Sequence, residues 1–145
     1  MTELVLPPDV IRLPASPSDA EVLAVVERWA GLLGAEDYEG AYGMTAHEPY
    51  FEWTTQLMRE VIEGYGLPDP HPDGPFKVSL LETAKGGPVS RRRVNHDDPP
   101  KRNGAIGDVW FDLPLNGEWS DLTATFSVYR SDGGIVLSLN EIHVF

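Results

Sequence analysis

The feature that most limits what this chain can fold into is a change of period. From Ser18 to Tyr65 the apolar residues recur at three- and four-residue spacing, and from Phe76 onward they alternate with polar ones. A helix turns once in 3.6 residues and a strand reverses its side chains at every residue, so the change divides a helical first part from a β second part. The sequence predicts an α+β fold: three N-terminal helices packed on a curved antiparallel sheet that finishes in a meander.

Local signals place the elements. Ser18-Asp19-Ala20-Glu21 has the form of a capping box, after which Val22, Val25, Val26, Trp29, Leu32 and Leu33 make one apolar stripe that Gly34 stops. A short second helix is expected in "AEDYEGAYGM", with Tyr38, Ala41 and Tyr42 on one side. Thr45-Ala46-His47-Glu48, followed by Pro49, reads as a second capping box and predicts a third helix starting there, with His47 exposed at its first turn. Phe51, Thr54, Leu57, Met58, Val61, Ile62 and Tyr65 keep the helical period until "GYGLPDPHPDGP" ends it.

Period two then predicts strands at Phe76 to Leu80, Asp108 to Leu113, Leu122 to Tyr129 and Ile135 to Phe145. "LNGE" and "SDGG" are hairpin signals, so the last three strands form an antiparallel meander. Residues 1 to 17 read as an extended Pro-rich lead-in and residues 18 to 145 as one domain, with a long basic arm at about 85 to 105. That arm includes Asp97-Asp98-Pro99-Pro100, which forbids a helix.

Composition narrows the function. Twenty-three acidic against 11 basic residues leave a formal charge of −12, which opposes attraction to nucleic acid and to anionic membranes. With no cysteine there is no disulfide framework and no thiol chemistry. The N-terminus has no basic leader, and no apolar run approaches the ~18 residues of a membrane-spanning helix, so a cytoplasmic location is expected. Five of the 11 cations, Arg91, Arg92, Arg93, Lys101 and Arg102, sit in one stretch of charge +3, leaving −15 elsewhere. Such an arm pairs with the protein's own acidic surface or offers Arg91, Arg92, Arg93, Lys101 and Arg102 to a partner's carboxylates.

Groups able to do chemistry are few. His47, His71, His96 and His143 show no ligand spacing, and neither a phosphate-cradling loop nor a nucleophile elbow is present, so no metal, cofactor or catalytic residue is assigned. Asp108, Trp110 and Asp112 share one strand face, and Glu141, His143 and Phe145 share another. Asp108 and Asp112 are expected on the solvent side, because they alternate with Val109, Phe111 and Leu113.

The element order, with the wording "WAGLLGAEDYEGAYGM" between the first two helices, resembles the nuclear-transport-factor-like superfamily of cone-shaped α+β proteins. Ser120-Asp121-Leu122-Thr123 in "NGEWSDLTATF" is similar to a phrase in small bacterial proteins of toxin and immunity loci. The first resemblance implies a cone in which polar groups meet an apolar ligand, for which Tyr42, Trp110, Glu141 and His143 are the available set. The second implies a non-enzymatic protein-binding domain, an immunity-type protein neutralising a toxin, and this is the leading reading. A small-molecule-binding protein or enzyme using the cone is the alternative. The partner is expected to be another protein, a homodimer being one form of it.

Overall fold

A computed structural model describes residues 4–65, 75–86 and 92–145. Helix α1 spans Asp19–Gly34, with the capping box formed: Glu21 N–H donates to Ser18 Oγ at 3.1 Å and Ser18 N–H to Glu21 Oε1 at 3.0 Å. Its stripe of Val22, Val25, Val26, Trp29, Ala30 and Leu33 is buried. A Cβ at Gly34 would lie 3.3 Å from the Val78 carbonyl oxygen, so glycine there admits the chain that packs across the helix end. Helix α2, Tyr38–Gly43, is capped by Asp37, whose Oδ1 accepts from Gly40 N–H at 2.9 Å.

The third helix does not start at Thr45. Thr45, Ala46, His47 and Glu48 are all buried and run extended: His47 exchanges two backbone bonds with Val5 (2.8 and 2.9 Å), and Ala46 N–H donates to the Leu137 carbonyl at 2.7 Å. An edge strand leaves a row of unpaired backbone groups, and satisfying them outweighs the local capping signal. Pro49–Phe51 is a single 3₁₀ turn, Glu52 is left-handed (φ 49°), and Thr54 caps α3, Thr55–Glu63, through a 3.0 Å bond from Leu57 N–H.

Four strands follow: β1 Arg92–His96, β2 Gly107–Leu115, β3 Glu118–Ser131 and β4 Gly134–Val144. They form an antiparallel sheet in sequence order, with β1 and β4 at its edges. Both hairpins turn on the two-residue loops expected, Asn116-Gly117 (φ 50° and 88°) and Asp132-Gly133 (φ 49° and 78°). Positive φ at both central positions is the type I′ geometry, whose twist matches that of the flanking strands. Bulges interrupt the register at Asp112/Pro114 and opposite Asn140.

Two expectations change here. Phe76 to Leu80 is no full strand: Val78 alone bridges to Leu115, Leu80 is exposed, and the pairing stops beside Pro114, which has no N–H to donate. The described part of the basic arm, expected to pair with the protein's own surface or to meet a partner, lies against the sheet. Residues 92–96 are paired along β2, Asp97 N–H donates to the Ile106 carbonyl at 2.9 Å, and Lys101 N–H to the Ala105 carbonyl at 2.8 Å. Arg91 lies outside the described residues.

The helices cover one face of the sheet. Val109, Phe111, Ala124, Phe126, Leu137 and Leu139 meet the buried stripe of α1 together with Met58 and Ile62 of α3. Trp29 stands edge-on to Phe126 at 5.0 Å, so two large rings fill the middle of this layer. The lead-in adheres to the edge of β4, where Leu13 and Ile135 exchange two backbone bonds of 2.9 Å.

Candidate functional site

Register places one set of side chains together on the outer face of the sheet. Arg93 pairs with Trp110, Trp110 with Thr125, and Thr125 with Glu141, so the four form a row across all the strands. In the next row Asp112 pairs with Thr123 and Thr123 with His143. Phe145 lies between these rows, its ring 4.7 Å from that of Trp110 and 5.2 Å from that of His143. The Arg93 guanidinium sits over Trp110 at 5.9 Å. Glu141 and His143 are exposed, Trp110 is half-buried, and Phe145 keeps 54% of its surface.

Under the rings the face is small and polar. Thr123, Thr125, Ser127 and Ser138 are buried, which lets Trp110 and Phe145 lie against the strands. Asp112 is buried as well, contrary to the solvent position that alternation predicts, because its Oδ1 accepts from Thr123 Oγ1 at 2.7 Å within this covered row. Asp108 accepts from Asn95 Nδ2 at 2.7 Å and from Lys101 Nζ at 3.3 Å. Partial burial works against the Lys101 charge, but the bond and attraction to Asp108, with Asp97, outweigh it and hold the ammonium above its ordinary range. Arg92 stacks over Trp119 at 5.0 Å, while Arg102 is exposed. Among the described cations expected to meet a partner, Arg93 alone lies in the row with Trp110, and Lys101 is spent on internal pairs.

Tyr42 does not join Trp110, Glu141 and His143. Its ring stacks on His47 at 3.9 Å and 16°. The exposed position expected for His47 is corrected too: it is 6% exposed, with Nε2 2.7 Å from the Tyr42 carbonyl oxygen and 3.3 Å from Thr45 Oγ1. Burial pushes the imidazole pKa down, and the bond to the Tyr42 carbonyl opposes this in part. Beside it, buried Glu48 accepts from Tyr129 OH at 2.6 Å, and Tyr129 OH accepts from Asn103 Nδ2 at 3.1 Å. This node closes the far end of the outer face, where Leu4 and Val10 pack on Tyr129 and Val136. Sequence reasoning missed it because Thr-x-x-Glu before a proline is the signature of a helix start.

A concavity of about 250 Å³ lies between the start of α1 and the β1–β2 hairpin and is lined by Val22, Val94, Ile106, Val128 and Ile135, with Asn95 and His96 among its polar groups. His96 Nε2 is 2.7 Å from Asp19 Oδ1. Tyr42, Trp110, Glu141 and His143 do not line it. Among the described residues no cluster of three or more His, Asp or Glu could hold a metal ion, and no helix is long and apolar enough to cross a membrane. No known protein family, curated protein or solved structure matches this chain.

Proposed function

We propose that this chain is a non-enzymatic protein-binding domain whose partner docks on the outer face of the sheet. The observation that carries the reading is the row of Arg93, Trp110, Thr125 and Glu141 with Phe145 and His143 laid across it. Aromatic rings and arginine dominate the energetics of protein interfaces, and an aromatic centre with charged groups around it is the usual anatomy of such a patch. The form we propose for the partnership is immunity-type neutralisation of a toxin. Supporting it are the Ser120 to Thr123 phrase and a net charge of −12, which steers a basic protein toward the surface. Membership of the nuclear-transport-factor-like superfamily belongs to the same proposal and is supported by helices preceding an antiparallel meander.

The test compares two immobilised baits, wild type and Trp110→Ala, in extract of the source cells, followed by association kinetics with the purified partner. A protein held by wild type, lost by Trp110→Ala, and associating with Arg93→Glu at a rate changed by about tenfold or more supports the face. A protein held equally by both baits overturns it. One observation favours the second reading, a small-molecule-binding protein or enzyme: the apolar concavity beside α1. At about 250 Å³ it falls just below the roughly 300–1,000 Å³ of drug-sized ligand sites. A purified chain that retains or turns over a small apolar molecule, and captures no protein, establishes that reading instead.

A further inference from the structure

Among the described residues, the edge of β4 is covered from Ile135 to Asn140 and not beyond. Leu13 pairs with Ile135, Ala46 N–H donates to the Leu137 carbonyl, and the Trp53 indole N–H donates to the Asn140 carbonyl at 2.8 Å. Asn140 is the extra residue of the bulge, since Phe126 pairs with Leu139 and Thr125 with Glu141. Beyond it, among the described residues, no backbone bond outside the ladder reaches 141–145. Val144 is 43% and Phe145 54% exposed. An uncovered strand edge bearing apolar residues is a template for another strand.

The residues on this edge are complementary to themselves. Residues 140–144 read Asn-Glu-Ile-His-Val, with Glu141 and His143 placed symmetrically about Ile142. Two copies run antiparallel about a two-fold axis at Ile142 set Glu141 opposite His143 of the second copy, twice over, on the outer face. Facing side chains of an antiparallel pair have Cβ atoms about 4.5–5.5 Å apart, within reach of a carboxylate–imidazole bond. The same alignment carries Val144 and Phe145 of the second copy toward Asn140, beside the cleft of about 430 Å³ lined by Phe51, Trp53 and residues 140–143.

We propose that the chain pairs with a second copy of itself through residues 141–143 of β4, as an isologous dimer whose sheet is continuous across the two-fold axis, with Glu141 facing His143 of the other copy. The inference does not rest on the protein-binding reading above, although Glu141 and His143 belong to both surfaces, and in the dimer the two outer faces adjoin along the axis.

Sedimentation velocity of the whole chain at micromolar concentrations, with circular dichroism to confirm the fold, tests it. Wild type is expected at twice the 16.0 kDa chain mass. His143→Glu puts like charges opposite each other twice and is expected to weaken the dimer about tenfold, whereas the swap Glu141→His with His143→Glu restores the pairs and the affinity. A second measurement is amide exchange: protection at Ile142 and Val144 is expected to rise with protein concentration. A monomer throughout the range, a dimer indifferent to His143→Glu, a swap no better than the single change, or an edge whose protection rises only when an unrelated β-strand peptide is added each overturns the proposal.

Discussion

Replacing Tyr129 by Phe removes one oxygen atom from a node buried between 45–48 and the sheet. The ring stays, so no cavity larger than that oxygen opens, and the cost is in hydrogen bonding. Tyr129 OH donates to Glu48 Oε1 at 2.6 Å, and Glu48 is 6% exposed, so the carboxyl group loses its donor where water does not readily replace it. A hydrogen bond to a charged group contributes about 1.5–3 kcal/mol, and a buried acceptor left unpaired costs a similar amount. Asn103 is exposed and returns to water, so its lost bond adds little. The expected loss is therefore about 2 kcal/mol, which lowers Tm by about 4–8 °C in a chain of this size. Glu48→Gln keeps an acceptor and is expected to cost about 1 kcal/mol, while Glu48→Leu with Tyr129→Phe together recover part of the loss, since removing both partners leaves nothing unpaired. Urea denaturation followed by tryptophan fluorescence measures wild type, Tyr129→Phe, Glu48→Leu and the double variant, the four corners of that cycle. A Tyr129→Phe protein within about 0.5 kcal/mol of wild type, or a cycle without coupling, refutes the reasoning. There is also a signature in pH. Burial, then the bond to Glu48, push the phenol well above its ordinary value of 10.0. The unfolded chain releases this proton near pH 10 and the folded one holds it, so its contribution is present below that pH and is lost above it; Tyr38 and Tyr65 are raised too, so the loss is expected to be smaller in Tyr129→Phe, not abolished.

His47 carries the opposite dependence: its folded pKa lies below the ordinary 6.5, so its contribution is complete above that pH and falls as the solution is acidified, because the unfolded chain takes the proton more readily. The urea midpoint is expected to drop between pH 7.5 and 5.5, and to drop less in His47→Gln, which keeps a donor for the Tyr42 carbonyl. Phe126→Ala empties the centre of the core and removes the edge-on contact with Trp29, for a loss of about 3–5 kcal/mol by the same denaturation assay. Gly107→Ala places a Cβ 2.4 Å from the Asn95 carbonyl oxygen, a backbone atom that cannot swing aside. It is expected to loosen β1 from β2, at a cost of about 1–3 kcal/mol, seen as faster amide exchange at Asn95 and Asp97 with little change in the β3–β4 ladder.

The sequence by itself determined the features whose causes lie within a few residues of one another. The Ser18 and Glu21 box, the stripe of α1, the Asn116-Gly117 and Asp132-Gly133 turns and the meander between them all follow from contacts at short separation, and all are present. The same locality explains the misreading of Thr45 to Glu48, where a capping pattern is overruled by backbone groups of β4 some 90 residues away. Only the tertiary structure paired Arg92–His96 with β2, stopped the pairing at Val78, and sank Asp112 into a covered row. Alternation shows that a strand has two faces without showing what covers each of them. Alternation made legible that Glu141 and His143 share one face of their strand and Trp110 and Asp112 one face of theirs, but the cone resemblance turned them toward an interior. Their meeting with Arg93 and Phe145, and the separation of Tyr42 to His47, depend on cross-strand register, which long-range pairing sets and no local pattern encodes.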